Sequence, residues 1–395
     1  MTVIKKHHLL RKDLIKHFYY NKRLTLTELS KLTHKSLPLI TTTVNSLIED
    51  GYVMEHELAP STGGRRALTF LLNSQKQRYV VAVAVDQMVT QVVIYDLLNK
   101  VKMAPEATEL LLVNEPVLVD KFTAFLKDYI SRSEIPIAQI LGVGIGMPGF
   151  VNAEQGVNHS FFKSTGDVSL KKYLTRELGV PVFIDNDSSV IALAELKFGT
   201  GKNLKDVLVV NVGWGIGLGM IVNGALFRGH SGYAGEFSHI PLSQSNKICS
   251  CGKRGCLEVD TSLVVMVERA KAQMDTGGSS SMELSYTKNG DLPVDQFLHA
   301  AKSGDPLAVS ILSDAAFLIG KGMSTLIHIM NPKLIVLSGR GAIAGKIFMA
   351  PIQQAINEFC IPWLAEQTEI QISTLAPEAE LLGAATLVIE NCNFN

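Results

Sequence analysis

The run from His239 to Glu258, HIPLSQSNKICSCGKRGCLE, sets one imidazole and three thiols at H-x9-C-x-C-x4-C spacing, with glycines at 252 and 255 between the last two cysteines. Thiolates and an imidazole are soft donors that select zinc. Four protein ligands in a tetrahedron leave no open position for a substrate, so the ion would be structural. The glycines let the backbone turn tightly enough for Cys249, Cys251 and Cys256 to converge with His239 on one ion. The competing reading is a pair of buried free thiols beside an unrelated disulfide; four ligands in so compact a run favour the metal.

This segment also carries a resemblance. C-x-C-G-x2-G-C-x-E, preceded by G-E-x-x-H at Gly235, Glu236 and His239, resembles the zinc signature of the ROK family, which contains bacterial sugar kinases and sugar-responsive transcriptional repressors. The similarity runs from Arg11 to about Glu390 and implies an α/β fold, the two-lobed actin-like ATPase (ribonuclease H-like) fold of sugar kinases with a structural zinc site. It also implies a sugar cleft. Glu236, His239 and Glu258 match sugar contacts beside the zinc, and Pro148 and Gly149 belong to a G-x-P-G turn lining the same cleft. Asn186 matches a residue that contacts a sugar hydroxyl, and Asp187 the base that deprotonates the acceptor hydroxyl in the kinases. From the residues alone, Asp185-Asn186-Asp187 follows an apolar strand and opens a helix, at a strand end where α/β folds build sites. Asp187 taken singly reads equally as a helix N-cap. Where the kinases place A-P-N-L-x-x-W, this chain has Asn158-His159-Ser160-Phe161-Phe162, so their sugar-binding asparagine does not carry over to Asn158.

Two segments, Tyr79–Leu97 and Asp206–Phe227, share a strand, tight turn, strand pattern and look like an internal duplication. By the resemblance they are the two phosphate hairpins, whose backbone N–H groups meet a nucleotide phosphate and need glycine at closest approach. The first keeps Asp86 and Thr90 of D-x-G-x-T but has Met88 in place of the glycine, a side chain expected to fill space the phosphates need. The second, Gly213 to Gly219, carries Trp214 where the kinase pattern has threonine. Leu337-Ser338-Gly339-Arg340-Gly341 resembles the adenosine-binding turn with an arginine inside it. Met88 and Trp214 both oppose ATP, so the chain is expected not to be an enzyme.

Net charge is zero but unevenly spread: residues 1–78 hold 13 Lys and Arg against 6 Asp and Glu, the remainder 24 against 31. A basic module on an acidic body is the asymmetry of a chain with one part meeting a polyanion. Within that module Leu10, Leu14, Ile15 and Phe18 recur at helical spacing. Thr25 or Thr27 can cap a second helix with Leu29 and Leu32, and Ser36 a third with Ile40, Val44, Leu47 and Ile48 as its buried stripe. Thr41, Thr42 and Asn45 fall on the opposite face of the third helix, short polar side chains suited to a major groove, with Ser36 at its start. Two β-type runs follow, joined through Gly63, Gly64, Arg65 and Arg66. As an isolated hairpin this would leave its arginines solvated; behind a helix-turn-helix it reads as a wing entering a minor groove, and G-G-R-R matches the wing of the ROK repressors.

The expected organisation is a winged helix-turn-helix over 1–75 and a ROK body over 76–395. Lobe one takes about 76–190 with a terminal helix 378–395 packed back across it, and lobe two 191–377. Cys360 and Cys392 lie far apart, which suits a reducing compartment without disulfides. No apolar run reaches the ~18–20 residues of a membrane span and the start lacks a secretion signal, so a cytoplasmic, membrane-free protein is expected. These features together read as a repressor that binds double-stranded operator DNA as a homodimer or homotetramer under control of a sugar or sugar phosphate. A kinase that also binds DNA, and a regulator controlled by a partner protein, are the alternatives.

Overall fold

The computed structural model describes residues 3–58, 67–112, 117–162, 168–282, 293–376 and 378–394. The amino-terminal module runs α1 (Val3–Asn21), β1 (Arg23–Thr25), α2 (Leu26–Thr33), α3 (Leu37–Glu49), β2 (Val53–Leu58) and β3 (Leu68–Leu72), with an antiparallel sheet of order β1-β3-β2. Leu14, Ile15 and Phe18 of α1 share one core with Leu29 of α2 and Ile40, Val44 and Leu47 of α3. Thr25, rather than Thr27, caps α2: its hydroxyl accepts the Glu28 N–H at 3.2 Å while the Glu28 carboxylate takes the Thr25 N–H at 2.7 Å. Ser36 departs from expectation. It precedes α3 in extended backbone but makes no side-chain cap, and Pro38, whose missing N–H costs nothing in a first turn, helps set the helix start. Strand β1, too short to show a period, was not legible. Gly63, Gly64, Arg65 and Arg66 lie outside the described residues.

The body contains two sheets with one topology. In the first lobe β4 (Tyr79–Val85), β5 (Val89–Asp96), β6 (Val101–Glu109), β7 (Ile140–Met147) and β10 (Val182–Asn186) are ordered β10-β7-β4-β5-β6. The helices α4 (Leu118–Arg132) and α5 (Leu170–Leu178) and the short pair β8 (Val151–Asn152) and β9 (Val157–Asn158) complete it. A connecting helix, α6 (Asp187–Lys197), leads to β11 (Val207–Val212), β12 (Ile216–Val222) and β13 (Ala225–Leu226). After α7 (Glu258–Thr261), α8 (Leu263–Asp275), α9 (Pro293–Lys302) and α10 (Pro306–Met330) the chain adds β14 (Leu334–Ser338), α11 (Lys346–Phe359), α12 (Pro362–Ala365) and β15 (Glu369–Ile372). The second sheet is ordered β13-β12-β11-β14-β15. In each sheet an antiparallel hairpin, β4–β5 or β11–β12, borders two parallel strands, β7 and β10 or β14 and β15. The duplication expected from the hairpins therefore extends to whole sheets. Helix α10 is long and apolar enough to cross a membrane, but its stripe from Ala308 to Ile327 is buried in the second lobe's core.

The last helix, α13 (Ala379–Asn391), returns to lie on β4, β7 and α6. It does so at backbone contact distance: a Cβ on Gly144 would fall 1.9 Å from the Ala384 carbonyl oxygen, and one on Gly383 1.9 Å from that of Val190. Its far end holds α1. Glu390 accepts hydrogen bonds from Lys16 Nζ and the Tyr20 hydroxyl, each at 2.7 Å, and pairs with Lys197 Nζ at 3.2 Å. Burial alone would push this carboxyl up, but Lys197, Lys16 and Tyr20 overcome it and hold the pKa at about 2. A depressed folded-state value contributes stability that is complete above the ordinary glutamate range, about 4.3, and is lost as pH falls towards 2. Glu390→Gln should therefore cost on the order of 2 kcal/mol at pH 7. Urea titrations of both proteins from pH 7 to 3 should show the gap narrowing, and a pH-independent gap would count against this ion cluster.

Candidate ligand cleft and metal centre

A cleft of about 1050 Å³ opens between the two lobes. Pro148, Gly149, Asn186, Asp187, Glu236, His239 and Glu258 all line it, although they come from the ends of β7 and β10, the start of α6, the segment around Glu236 to His239 and the start of α7. Asn186, not Asp187, is the N-cap of α6; its Oδ1 accepts the N–H groups of Ser188 and Ser189 at 3.0 and 3.3 Å, and its Nδ2 donates to the Gly149 carbonyl at 3.3 Å. This frees Asp187 from the cap itself. Asp187 accepts the Ser188 N–H at 2.7 Å on Oδ1 and the Asn211 amide at 3.4 Å on Oδ2. Burial pushes its pKa up to about 6, with the neighbouring Asp86 adding to the rise against the hydrogen bonds. Glu236 is raised to about 7 by burial, then by Asp187 and Glu258. Such a cluster of carboxyls is suited to accept hydrogen bonds from a polyhydroxylated ligand and to take a proton near neutral pH.

His239 joins the cleft to the thiol cluster. Its Nδ1 lies 3.6 Å from Cys249 Sγ, while Nε2 lies 3.7 Å from a Glu236 carboxylate oxygen on the cleft side. One ring can thus serve as a metal ligand and orient a cleft carboxylate through its other nitrogen. The donor atoms of His239, Cys249, Cys251 and Cys256 all lie within 4.8 Å of one another, and the Cys251 and Cys256 sulfurs are 3.6 Å apart. A tetrahedron with metal–sulfur bonds of about 2.3 Å has edges of about 3.7 Å, so the four donors fit one tetrahedral ion. All three cysteines are free thiols.

The opposite end of the cleft, where the resemblance implies a nucleotide, is bridged by protein. Arg340 reaches Asp295 of α9 at 3.0 and 3.1 Å and Asp86 of the β4–β5 turn at 3.3 Å. A second interlobe pair joins Arg228 to the buried Asp185. At the first hairpin Asp86 and Gln87 line the cavity, and the Met88 carbonyl accepts the Leu110 N–H at 2.8 Å. Trp214 lines the cleft as expected and packs on the second lobe's core. The glycine run is only partly about phosphate. A Cβ at Gly217 would come within 1.9 Å of Ser188 Oγ and one at Gly219 within 2.3 Å of Ala192 Cβ, so these two glycines admit α6.

Several cleft residues were not singled out from sequence. Phe150 stacks over His239 with ring centroids 6.0 Å apart, and Tyr233 lies edge-on to Phe150 at 6.3 Å and to His159 at 6.2 Å, an aromatic wall on which an apolar ligand face can rest. Glu380, in the first turn of α13, also lines the cleft, and burial followed by Asp187 and Asp86 pushes its carboxyl well up. Its Oε1 is inaccessible and without a hydrogen-bond partner among the described residues. Asn158, by contrast, is buried and fully engaged, donating to Pro148 O at 3.0 Å and accepting the Ser160 and Phe161 N–H groups.

The ROK family model matches residues 112–391. The chain is 32% identical to a glucokinase from Halalkalibacterium halodurans over 258 residues, 65% of this chain and 78% of that one. It is 27% identical to a xylose repressor from Caldicellulosiruptor bescii over 380 residues, 94% of this chain and 93% of the relative. A crystal structure of a ROK family transcriptional regulator, a homologue of the Escherichia coli Mlc protein, superposes with a TM-score of 0.77 at 22% identity, covering 97% of this chain and 96% of the other. With the family model matching residues 112–391, well over half of its length, the chain belongs to the ROK family.

Proposed function

We propose that this chain is a sugar-responsive transcriptional repressor: a winged helix-turn-helix over residues 1–75 binds operator DNA, and a sugar in the interlobe cleft of residues 76–395 sets its affinity. The observation that carries this reading is the joining of a basic helical module to the ROK body across the whole length shared with the xylose repressor, whereas the glucokinase match spans 65% of the chain. The effector's hydroxyls would bond to Asn186, Asp187, Glu236 and Glu258, with Pro148 and Gly149 shaping the floor. Thr41, Thr42 and Asn45, with Ser36 and the Gly63-Gly64-Arg65-Arg66 turn, would meet DNA as a dimer or tetramer on paired half-sites. Nothing in this role requires ATP, and the Arg340 bridge to Asp86 and Asp295 supports a body without kinase activity, because the first hairpin's acidic group already has a cation. Helix α13 offers the mechanical link, with Glu380 in the cleft at one end and Glu390 on α1 at the other. Coupling of about 1–3 kcal/mol between sugar and operator would suffice for regulation.

Fluorescence anisotropy of an operator duplex, with and without hexoses, pentoses and amino sugars, tests the reading; a protein that binds DNA but ignores every sugar would overturn the effector role. Asp187→Asn should weaken the sugar response at least tenfold while leaving operator affinity intact. Because the acceptor form of Asp187 is lost as pH falls through about 6, sugar affinity in the native protein should decline between pH 7.5 and 5.5. With Mg·ATP no sugar should be phosphorylated above background. Robust phosphorylation abolished by Asp187→Asn would instead make the chain a kinase that also binds DNA, the reading favoured by the retained aspartate.

We assign the four-donor centre to structural zinc, on the chemistry of its ligand set. One zinc per chain is expected by elemental analysis. Cys251→Ser should lower zinc content, melting temperature and sugar affinity together, since the loops carrying Glu236 and His239 close on the metal. A zinc-free protein of undiminished stability would refute the assignment.

A further inference from the structure

We infer that the first turn of α3 reads thymine methyl groups in the major groove through Leu37 and Leu39, an assignment that rests on the DNA-binding reading above. Helix α3, LPLITTTVNSLIE, contains no lysine, arginine or histidine. Its buried stripe of Ile40, Thr43, Val44 and Leu47 faces the module's core, and Leu37 and Leu39, two residues apart and so on opposite flanks of that stripe in the helix's leading turn, are 47% and 41% exposed. The polar readers expected there are weaker donors than their types suggest. The Thr41 and Thr42 hydroxyls donate to the Leu37 and Pro38 carbonyls at 2.9 and 3.1 Å, so they can accept from a base but have no hydrogen left to give one. Asn45 is exposed. A helix whose leading turn is apolar can recognise one feature of the major-groove edge by burial, the C5-methyl of thymine.

Charge around this face fits a polyanion. Lys22, Arg23, Lys31 and Lys35, in the segments before α3, are all exposed, so phosphate attraction is supplied beside the helix and not on it. The division is physically sensible: basic flanks hold the duplex non-specifically, and the leucines discriminate by removing a methyl group and their own surface from water. Among the described residues neither leucine joins the core that fills this module, and both are left at the surface, as is Leu32 of α2.

The test uses the full-length protein and duplexes enriched by it from a randomised pool. Each thymine of an enriched duplex is then replaced singly by deoxyuracil, which removes the methyl and leaves every hydrogen-bonding group in place. Affinity should fall roughly fourfold at one or two positions, the effect of exposing one methyl-sized group. Leu39→Ala or Leu37→Ala should weaken binding to the thymine duplex by a similar factor, erase the deoxyuracil effect at its own position, and leave the salt dependence unchanged because no phosphate contact is lost. Both leucines are exposed, so circular dichroism and melting of the variants should match the parent. Deoxyuracil sensitivity absent in the parent, or undiminished in the variants, overturns the assignment while leaving DNA binding in place. Leucine variants that change the oligomeric state but not DNA affinity overturn it in favour of a protein contact. Enrichment of no duplex at all would remove the DNA-binding reading, and this assignment with it.

Discussion

The rest of the molecule is arranged around the seat of α13. Thirteen residues at 1.5 Å per residue span roughly 20 Å, enough for one rigid element to begin in the cleft and end at the amino-terminal module. Its position is set by steric fit more than by polar contacts, because Gly144 and Gly383 bring backbone against backbone where any side chain would collide. The two carboxyls at its ends are shifted in opposite directions by their surroundings. Glu380 is buried among Asp187 and Asp86 and driven towards its neutral form, whereas Glu390 is buried among two lysines and a tyrosine hydroxyl and held ionised. A change in the charge or packing of the cleft is thus felt at one end of a helix whose other end is bolted to α1.

The end of the cleft away from the thiol cluster is held by a different set of contacts. In a phosphoryl-transfer enzyme the hairpin carboxylate must be free to work with a metal-bound phosphate. Here Asp86 has two other commitments: its Oδ1 accepts the Met88 and Val89 N–H groups at 2.8 and 2.7 Å, and its Oδ2 faces Arg340. Arg340 in turn takes both oxygens of Asp295. Because Asp86 belongs to the first lobe and Arg340 and Asp295 to the second, the bridge resists separation of the lobes at this end. Sugar-dependent movement would then be concentrated at the other end, near Glu236 and the thiol cluster.

Much of this was legible in the chain because it depends on local pattern. Short-range spacing placed the candidate metal ligands, and apolar strands about a tight turn placed the two hairpins, since each is decided within about twenty residues. Strand β1 has three residues and so carries no readable period, and the choice between Thr25 and Thr27 as cap depends on a reciprocal bond with Glu28. The Arg340 bridge was beyond reach for a different reason: Asp86 and Arg340 are 254 positions apart, and only the assembled lobes bring them together. Met88 was legible as a departure from glycine by its type alone, whereas the ion pairs of Arg340 with Asp86 and Asp295 follow from no motif.

The thiol cluster ties one end of the cleft to the fold of the second lobe. His239 has only two ring nitrogens, and both are committed, Nδ1 beside the cysteine sulfurs and Nε2 beside the Glu236 carboxylate. Cys249 Sγ also lies 3.7 Å from Glu258, a second cleft carboxyl. These cleft carboxyls are therefore tied to the fold of the second lobe through the candidate metal ligands. The turns at the other end are tied in differently: Asp86 faces Arg340 across the two lobes, and a Cβ on Gly215 would fall 2.6 Å from Glu258 Oε1, so neither turn stands apart from the rest of the body.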